Sequence, residues 1–195
     1  NFVRRLCKVP QICPHFHLSL QSGCDETLKR MNRHYTTALY LEKCGILRQY
    51  FDRPALTTDV IVGFPGETEE EFAERFLETV HFSDMHIFKY SKRRGTKAAD
   101  MPNQIDPQIQ SVRSEKLIAL GERMKDDFLE VCKDQEQIVL IEEETEIDGT
   151  KYMTGHSKNY IRCAFEMDGL VPNMVIKGTI NSKLNEEFVF CKRCD

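Results

Sequence analysis

The chain has 195 residues, of which 41% are hydrophobic and 30% charged, and its formal net charge is −4. This composition is ordinary for a folded protein with a buried core and argues against a disordered or fibrous chain. The apolar runs are far shorter than the ~20 residues that a bilayer demands, and no secretory leader is visible, so we predict a cytoplasmic protein without membrane contacts. Because Asn1 is not an initiator Met, we expect a piece of a longer protein.

The first two-thirds of the sequence alternate between strand-like and helix-like patterns. Residues 16–20 predict a short strand, a helix should begin near Asp25, and Thr36 or Thr37 should cap the next helix. Residues 57–64 are β-branched and nearly continuously apolar, which predicts a strand covered on both faces of a parallel sheet.

The pattern continues with a helix, a third strand and a long helix. The sequence of residues 68–71 matches a helix capping box. Residues 86–90 predict a strand, and Pro107 suits the first position of the long helix that follows. Alternating strands and helices are typical of βα units, so we predict an α/β fold with parallel strands for residues 1–132.

From about Gln135 the pattern changes to five short strands without long helices. These strands fall within about sixty residues and are separated by glycines such as Gly149 and Gly169. So small a module predicts a closed five-stranded barrel, and we place the domain boundary near Lys133, with residues 133–195 forming the all-β part.

The eight cysteines are scattered along the chain, which predicts reduced thiols instead of a disulfide framework. Cys191 and Cys194 are the one close pair, and two ligands cannot complete a four-ligand metal site. His15 and His17 point the same way from one strand, and we interpret them as hydrogen-bonded supports of that strand. No metal site is therefore predicted in this chain.

The most informative segment for function is residues 59–68. A strand that ends in glycines and a proline before a capped helix places backbone amides and a carboxylate at the carboxyl edge of the sheet, where βα folds bind ligands. Glycine has no side chain to hold a flat nucleoside away from the backbone. Taken alone, the same pattern also fits a plain loop with a helix cap.

Two further segments could contact RNA. The loop over residues 91–97 holds the densest basic cluster, which could bind phosphates or simply be solvated. In the last third, aromatic and basic side chains interleave over residues 152–162, as in modules that stack on bases, although some of them could be core. Against RNA binding, residues 133–195 contain 8 basic and 12 acidic side chains.

Residues 59–68, Asp-Val-Ile-Val-Gly-Phe-Pro-Gly-Glu-Thr, resemble the strand and loop of radical S-adenosylmethionine (SAM) enzymes. Their exact sequence is similar to that of the methylthiotransferases. Residues 18–23, 28–33 and 90–99 match the same family in the same order. The terminal module resembles the TRAM domain of these enzymes. Residues 14–24 and 86–93 look most like the branch that thiomethylates threonylcarbamoyladenosine, with the isopentenyladenosine and ribosomal-protein branches as alternatives.

The resemblance implies the C-terminal half of a partial (β/α) radical-SAM barrel followed by a TRAM β-barrel. It implies a tRNA methylthiotransferase acting at position 37, next to the anticodon, with the tRNA anticodon stem-loop and a sulfur donor as partners. Its cofactors would be SAM and two 4Fe-4S clusters. The family's Cys-x-x-x-Cys-x-x-Cys ligands do not occur in this sequence, so we expect the chain alone to be inert.

By motif, the resemblance also carries over site residues, although no catalytic residue can be assigned. Asp59 stands where radical enzymes usually have glycine, and a solvated or capping acid is the alternative role. The residues predicted to line the cofactor are Gln21, Asp59, Ile61, Gly63, Phe64 and Glu67. The residues predicted to bind RNA are Lys92, Arg93, Arg94, Lys97, Tyr152, His156, Lys158, Tyr160 and Arg162.

Two other classes of protein remain open at this point. One is a non-catalytic RNA-binding protein built from a βα scaffold and a TRAM barrel. The other is a different radical enzyme in which the last barrel serves only as a structural lid.

Overall fold

A computed structural model describes residues 2–72 and 74–194. The chain divides into two units, one formed by Asn1–Cys7 and Phe16–Phe128 and the other by Lys8–His15 and Leu129–Asp195. Up to the end of the long helix, the elements are α1 (Phe2–Leu6), β1 (His15–His17), α2 (Asp25–Arg30), α3 (Thr37–Tyr50), β2 (Ala55–Val62), α4 (Glu74–Val80), β3 (Asp84–Lys89), a 3₁₀ helix (Lys97–Asp100) and α5 (Pro107–Cys132).

The strands of the first unit form a three-stranded sheet in the order β1-β2-β3. β2 and β3 pair in parallel, with Asp59 opposite His86 and Ile61 opposite Phe88. On the other side of β2, Gln21 forms a parallel bridge with Val60 just beyond the end of β1. The predicted parallel sheet is therefore confirmed.

The two faces of this sheet differ. Leu56, Val60 and Val62 of β2 lie in the apolar core together with side chains from the helices. Asp59 and Ile61, which alternate with them, are only partly buried. The prediction of a strand covered on both faces was therefore wrong, because the β-branched run masks an alternation that Asp59 already breaks.

The predicted helix starts are largely present. The Thr36 side chain caps α3 by accepting a hydrogen bond from the amide of Leu39 at 3.2 Å. Thr68 and Glu71 exchange the two bonds of a capping box, at 3.4 and 3.3 Å, but α4 begins only at Glu74. The carboxylate of Glu71 also pairs with Arg30, which ties this turn to α2.

The second unit contains a closed barrel with the strand order β4-β5-β6-β8-β7. Its neighbours pair antiparallel except β6 and β8, which pair in parallel. The predicted five-stranded closed barrel is therefore confirmed. Its strands are β4 (Glu136–Ile147), β5 (Thr150–Ser157), β6 (Arg162–Phe165), β7 (Val175–Lys183) and β8 (Val189–Arg193).

Close backbone packing fixes the shape of this barrel. A Cβ at Gly155 would collide with the carbonyl oxygen of Leu140, beside a bulge in β4. A Cβ at Gly178 would lie 2.5 Å from the ring of Phe165. Asn173 adopts a φ of 71°, the left-handed turn that its short polar side chain tolerates. Gly155 and Gly178 therefore leave no room for a side chain.

All eight cysteines are free thiols. Cys44 lies in the core of the first unit, and its burial raises the pKa of the thiol to about 11. Across residues 2–72 and 74–194, no helix is both long and apolar enough to span a bilayer.

Candidate functional site at the carboxyl edge of the sheet

The bend after β2 is built from residues of positive φ, 72° at Gly63 and 79° at Gly66. The Gly66 amide donates to the carbonyl of Asn103 at 2.9 Å. A Cβ at Gly63 would collide with the side chain of Gln110, whose amide nitrogen lies 3.3 Å from the Gly63 carbonyl. The space where a Gly63 side chain would lie is thus filled by Gln110, and the contact of this glycine with a nucleoside stays a prediction.

Glu67 holds the bend from inside. Its side chain is 4% exposed and accepts hydrogen bonds from the Gly63 amide at 3.0 Å and from Arg113 at 2.6 Å. Arg113 also pairs with Glu69 at 2.7 Å. Burial raises the pKa of Glu67, while the Gly63 amide and Arg113 act in the opposite direction. Glu67 is thus positioned as a brace of the bend, and any contact with a cofactor stays a prediction.

The remaining predicted cofactor residues lie along β2 and its neighbour. Gln21 has a φ of 70°, and its backbone bonds to both Asp59 and Ile61 at 2.9 Å. Asp59 and Ile61 occupy the partly exposed face of the sheet, which we call the open face. Phe64 is 7% exposed and packs edge-on against Tyr90, with ring centroids 5.3 Å apart. The structure thus brings Gln21, Asp59 and Ile61 together.

Two polar side chains at this edge have no hydrogen bond described to the rest of residues 2–72 and 74–194. The hydroxyl of Tyr90 is buried and makes no hydrogen bond among the described residues. Gln21 is 9% exposed, and the hydrogen bonds described for it involve only its backbone. Buried polar groups are normally satisfied, so such groups commonly face a ligand or water. The donor and acceptor chemistry fits the hydroxyls and amines of a nucleoside such as the adenosyl part of SAM.

A polar cluster that the sequence did not predict lies deeper on the open face. His17 Nε2 is 3.2 Å from Asp59 Oδ2, and His17 Nδ1 is 3.1 Å from the hydroxyl of Thr57. The rings of His17 and His86 have centroids 6.2 Å apart. The ring of His15 stacks on Tyr160, and its role as a support of the strand stays a prediction. The alternation of residues 15–19 and 86–90 was the signal that could have revealed this cluster.

The predicted basic cluster lies on the loop between β3 and the 3₁₀ helix. Thr96 shapes the loop, because its hydroxyl donates to the Arg93 carbonyl at 2.8 Å and accepts from the amide of Ala99 at 3.3 Å. All four cations of the cluster, Lys92, Arg93, Arg94 and Lys97, are exposed. None of them has an acidic partner in the part of the chain that the structure describes, so they are free to bind an anion.

In the barrel, the predicted RNA-binding residues differ in how far they are engaged. Tyr160 is 59% exposed, with a φ of 67°, and its ring stacks on His15 and on His156 at 4.5 Å each. His156 Nδ1 also lies 2.7 Å from a carboxylate oxygen of Glu142. Lys158 is exposed and has no ion pair among the described residues. Lys158 is the member most available to a partner, because the ring of Tyr160 already stacks on two histidines.

The other two barrel candidates are held by protein contacts. Tyr152 is half-buried against the cluster of Ile147, Ala164 and Phe188. Arg162 pairs with Glu187 and lies over the ring of Phe188, 4.3 Å from its centroid. Any role of Tyr152 and Arg162 in RNA binding stays a prediction, and in the structure both stabilise the barrel.

One pocket in the barrel includes residues that the sequence had not indicated. It has a volume of about 360 Å³, and the exposed cations Lys192 and Arg193 contribute to its lining beside Phe190. Glu166 and Asp168 line the same pocket, so its charge is mixed. Among the described residues, no group of three or more His, Cys, Asp or Glu side chains could hold a metal ion.

A family model described as the radical SAM superfamily matches residues 1–78, which include β1, β2 and the bend. The parallel sheet with its strand-end bend and this match define the class as a radical SAM protein. Several curated relatives cover more of the chain, and each is named for a methylthio modification of tRNA. The chain belongs to the methylthiotransferase family within the radical SAM superfamily.

Three relatives illustrate the similarity. The threonylcarbamoyladenosine tRNA methylthiotransferase of Bacillus subtilis is 38% identical over 160 residues, 80% of this chain and 35% of that protein. The tRNA-2-methylthio-N(6)-dimethylallyladenosine synthase of Corynebacterium diphtheriae is 35% identical over 184 residues, which are 92% of this chain and 36% of that protein. The synthase of the same name from Caldicellulosiruptor saccharolyticus is 45% identical over 116 residues, which are 58% of this chain and 25% of that protein. The chain thus spans about a third or less of these relatives.

Proposed function

We propose that the full-length protein is a tRNA methylthiotransferase that modifies N6-threonylcarbamoyladenosine next to the anticodon. The name of the Bacillus subtilis relative, which matches 80% of this chain, supports this substrate. The family assignment supports the reaction class. In this proposal, residues 1–132 form the C-terminal part of the radical-SAM barrel and residues 133–195 a TRAM domain.

The observation that carries the proposal is the open face of the sheet beside the bend at Gly63. The side chain of Gln21 is 9% exposed, with no hydrogen bond described for its amide, and Ile61 offers a partly exposed apolar side chain next to it. An amide suits ribose hydroxyls and an aliphatic side chain suits a flat base, so these two residues would hold the adenosyl part of SAM. SAM, together with its 4Fe-4S cluster, supplies one-electron chemistry when bound, and no cluster ligand set is found among the described residues.

Within this proposal, the bend residues act by position. Glu67 accepts a hydrogen bond from the Gly63 amide at 3.0 Å, and Arg113 in turn donates to the Glu67 carboxylate at 2.6 Å. Phe64 and Tyr90 close the neighbouring surface with their edge-to-face contact. A preformed edge of this kind spares the protein the entropy of ordering it when the cofactor arrives.

For tRNA, we propose that the basic loop after β3 supplies phosphate contacts. Lys92, Arg93, Arg94 and Lys97 are exposed and lack acidic partners among the described residues. In the barrel, Lys158 is the candidate for a phosphate, and the stack of His15, Tyr160 and His156 is the candidate to meet a base. The barrel is acidic overall, so binding there would depend on such local groups.

A second candidate substrate is dimethylallyladenosine in tRNA. The synthase of Corynebacterium diphtheriae that carries this name matches 92% of the chain, more than the threonylcarbamoyladenosine enzyme does. The two candidates share the reaction and differ only in the group on N6 of the adenosine.

The test is to prepare the full-length protein, reconstitute it with iron and sulfide, and supply SAM, a reductant and a sulfur source. Transfer RNAs carrying either modified adenosine are then digested, and their nucleosides are measured by mass spectrometry. The proposal predicts a methylthio product from threonylcarbamoyladenosine. A product from dimethylallyladenosine alone would establish the second candidate, and no product from either tRNA would contradict both.

A further inference from the structure

The centre of the open face holds a polar cluster that the cofactor contacts proposed above do not use. His17 lies between Thr57 and Asp59, with its two ring nitrogens 3.1 and 3.2 Å from their side-chain oxygens. Ser19 donates to the same oxygen of Asp59 at 3.4 Å. These bonds fix the orientation of the His17 ring and hold Asp59 in place.

Part of the cluster remains unsatisfied within the protein. The hydrogen bonds described for Asp59 use Oδ2, which leaves Oδ1 as an acceptor on the open face. His86, opposite Asp59 on β3, is exposed and has no hydrogen-bond partner among the described residues. Side-chain exposures of 39% for His17 and 29% for Asp59 leave both accessible. The cluster can therefore both donate and accept hydrogen bonds toward a ligand.

An apolar pair lies beside this cluster on the same face. Ile61 is opposite Phe88, two residues further along the strands than the pair of Asp59 and His86. Phe88 is 52% exposed. Two residues of a strand span roughly 6.6 Å, which is the scale of a purine base and its first substituent atoms. With Ile61 assigned to the cofactor, the exposed ring of Phe88 is the apolar group that would meet the substrate base, and the polar cluster lies at the spacing of a group attached to that base.

The two candidate substrates differ in the group that the polar cluster would meet. A threonylcarbamoyl group carries urea N–H groups, a hydroxyl and a carboxylate, whereas a dimethylallyl group is pure hydrocarbon. Covering the cluster with hydrocarbon would leave Asp59 Oδ1 and the ring nitrogens of His86 without partners, and sites built to hydrogen-bond a substrate discriminate strongly against analogues that lack the bond.

We propose that His86 and the Oδ1 oxygen of Asp59 select a polar substituent on N6 of the substrate adenosine, with His17 holding Asp59 in position. This inference rests on the proposed function and adds the residues that set the substrate. His17 acts by fixing the Asp59 carboxylate through Oδ2, while Asp59 Oδ1 and His86 contact the substituent.

The experiment uses the reconstituted full-length enzyme and compares kcat/KM for tRNA carrying each adenosine. His86→Leu is the first variant, because its exposed ring makes no hydrogen bond whose loss would unfold the sheet. His17→Leu is the second. His34→Leu, at an exposed histidine outside the sheet, is the matched control. Melting temperatures of all four proteins separate misfolding from altered selection.

In wild type we expect preference for the threonylcarbamoyl substrate. We expect His86→Leu to lower that preference at least about tenfold, mainly through KM, without a change in melting temperature, while His34→Leu keeps the wild-type ratio. An unchanged ratio in His86→Leu, with an active wild type, overturns this inference and leaves the proposed function intact. No methylthio product from wild type with either tRNA overturns both.

Discussion

The sheet and the barrel of this molecule use their surfaces in different ways. In the barrel every strand is paired on both sides, and Gly155 and Gly178 let backbone and ring approach where a methyl group would collide. In the sheet only one face is covered, and Asp59 and Ile61 remain partly exposed on the other. In a closed barrel the strands pair with one another on both sides, whereas a parallel sheet covered on one face leaves room for a ligand on the other.

The barrel and the loop after β3 also differ in how their cations are paired. Several cations of the barrel pair with nearby acids, such as Lys151 with Glu144 at 2.6 Å and Lys177 with Glu136 at 2.8 Å. The loop cations after β3 have no such partners among the described residues. An anionic partner would therefore meet a stronger local field at the loop than at most of the barrel.

The largest effect is expected where the barrel is tightest. Gly155→Ala should destabilise the barrel by at least about 4 kcal/mol, because the new methyl group would overlap the backbone carbonyl of Leu140, which cannot rotate away. Denaturant unfolding followed by circular dichroism measures this loss.

The control substitution should change the stability in the opposite direction. Gly45 lies in α3 with nothing within 4 Å of an added Cβ, so Gly45→Ala should stabilise the protein by about 0.5 to 1 kcal/mol. Equal, small effects at both glycines would show that the barrel is not packed as described.

The next largest effect is expected at the bend. Arg113→Ala should cost about 3 to 5 kcal/mol, because it leaves the buried carboxylate of Glu67 without its cation. Arg123→Ala is the matched control, because that side chain is 61% exposed and lies 3.9 Å from Glu78, so its loss should cost under about 1 kcal/mol.

This pair of variants also predicts a pH dependence. The pKa of Glu67 is raised in the folded state, so its contribution to stability is complete below its ordinary pKa and declines as the pH rises through the raised value. Without Arg113, stability should fall by more over the same rise in pH. The loss in Arg113→Ala should therefore be greater near pH 7 than near about pH 5, and an equal loss at both would contradict this account of the bend.

Smaller losses of stability are expected in the sheet, and they should differ between its covered face and its open face. Leu56→Ala should cost about 3 kcal/mol, because Leu56 is 1% exposed and belongs to the core under the helices. Phe88→Ala, on the open face with 52% exposure, should cost under about 1 kcal/mol. Thermal or denaturant unfolding of both variants gives the comparison, which fails if Phe88→Ala costs as much as Leu56→Ala.

Local signals were sufficient to predict much of the fold. The alternation of strands and helices gave the parallel sheet, Thr36 gave the cap of α3, and Pro107 gave the start of α5. The short strands separated by glycines gave the closed barrel. These features depend on residues close in sequence, which is why they can be predicted without a structure.

Features that depend on distant side chains could not be predicted. Nothing in residues 59–68 indicates that Gln110, more than forty residues later, fills the space beside Gly63. Nor does it indicate that Arg113 neutralises Glu67. The cluster of His17, Asp59 and His86 likewise forms only when three strands are placed side by side.

The most direct test of the open face as a cofactor surface is the affinity of the reconstituted full-length protein for SAM, measured by equilibrium dialysis. Ile61→Asp should weaken binding at least tenfold, about 1.4 kcal/mol, because it puts a carboxylate where an adenine ring would lie. Ile118→Asp, at an exposed position of α5, should leave the affinity unchanged. Equal affinity of wild type and Ile61→Asp would contradict the account.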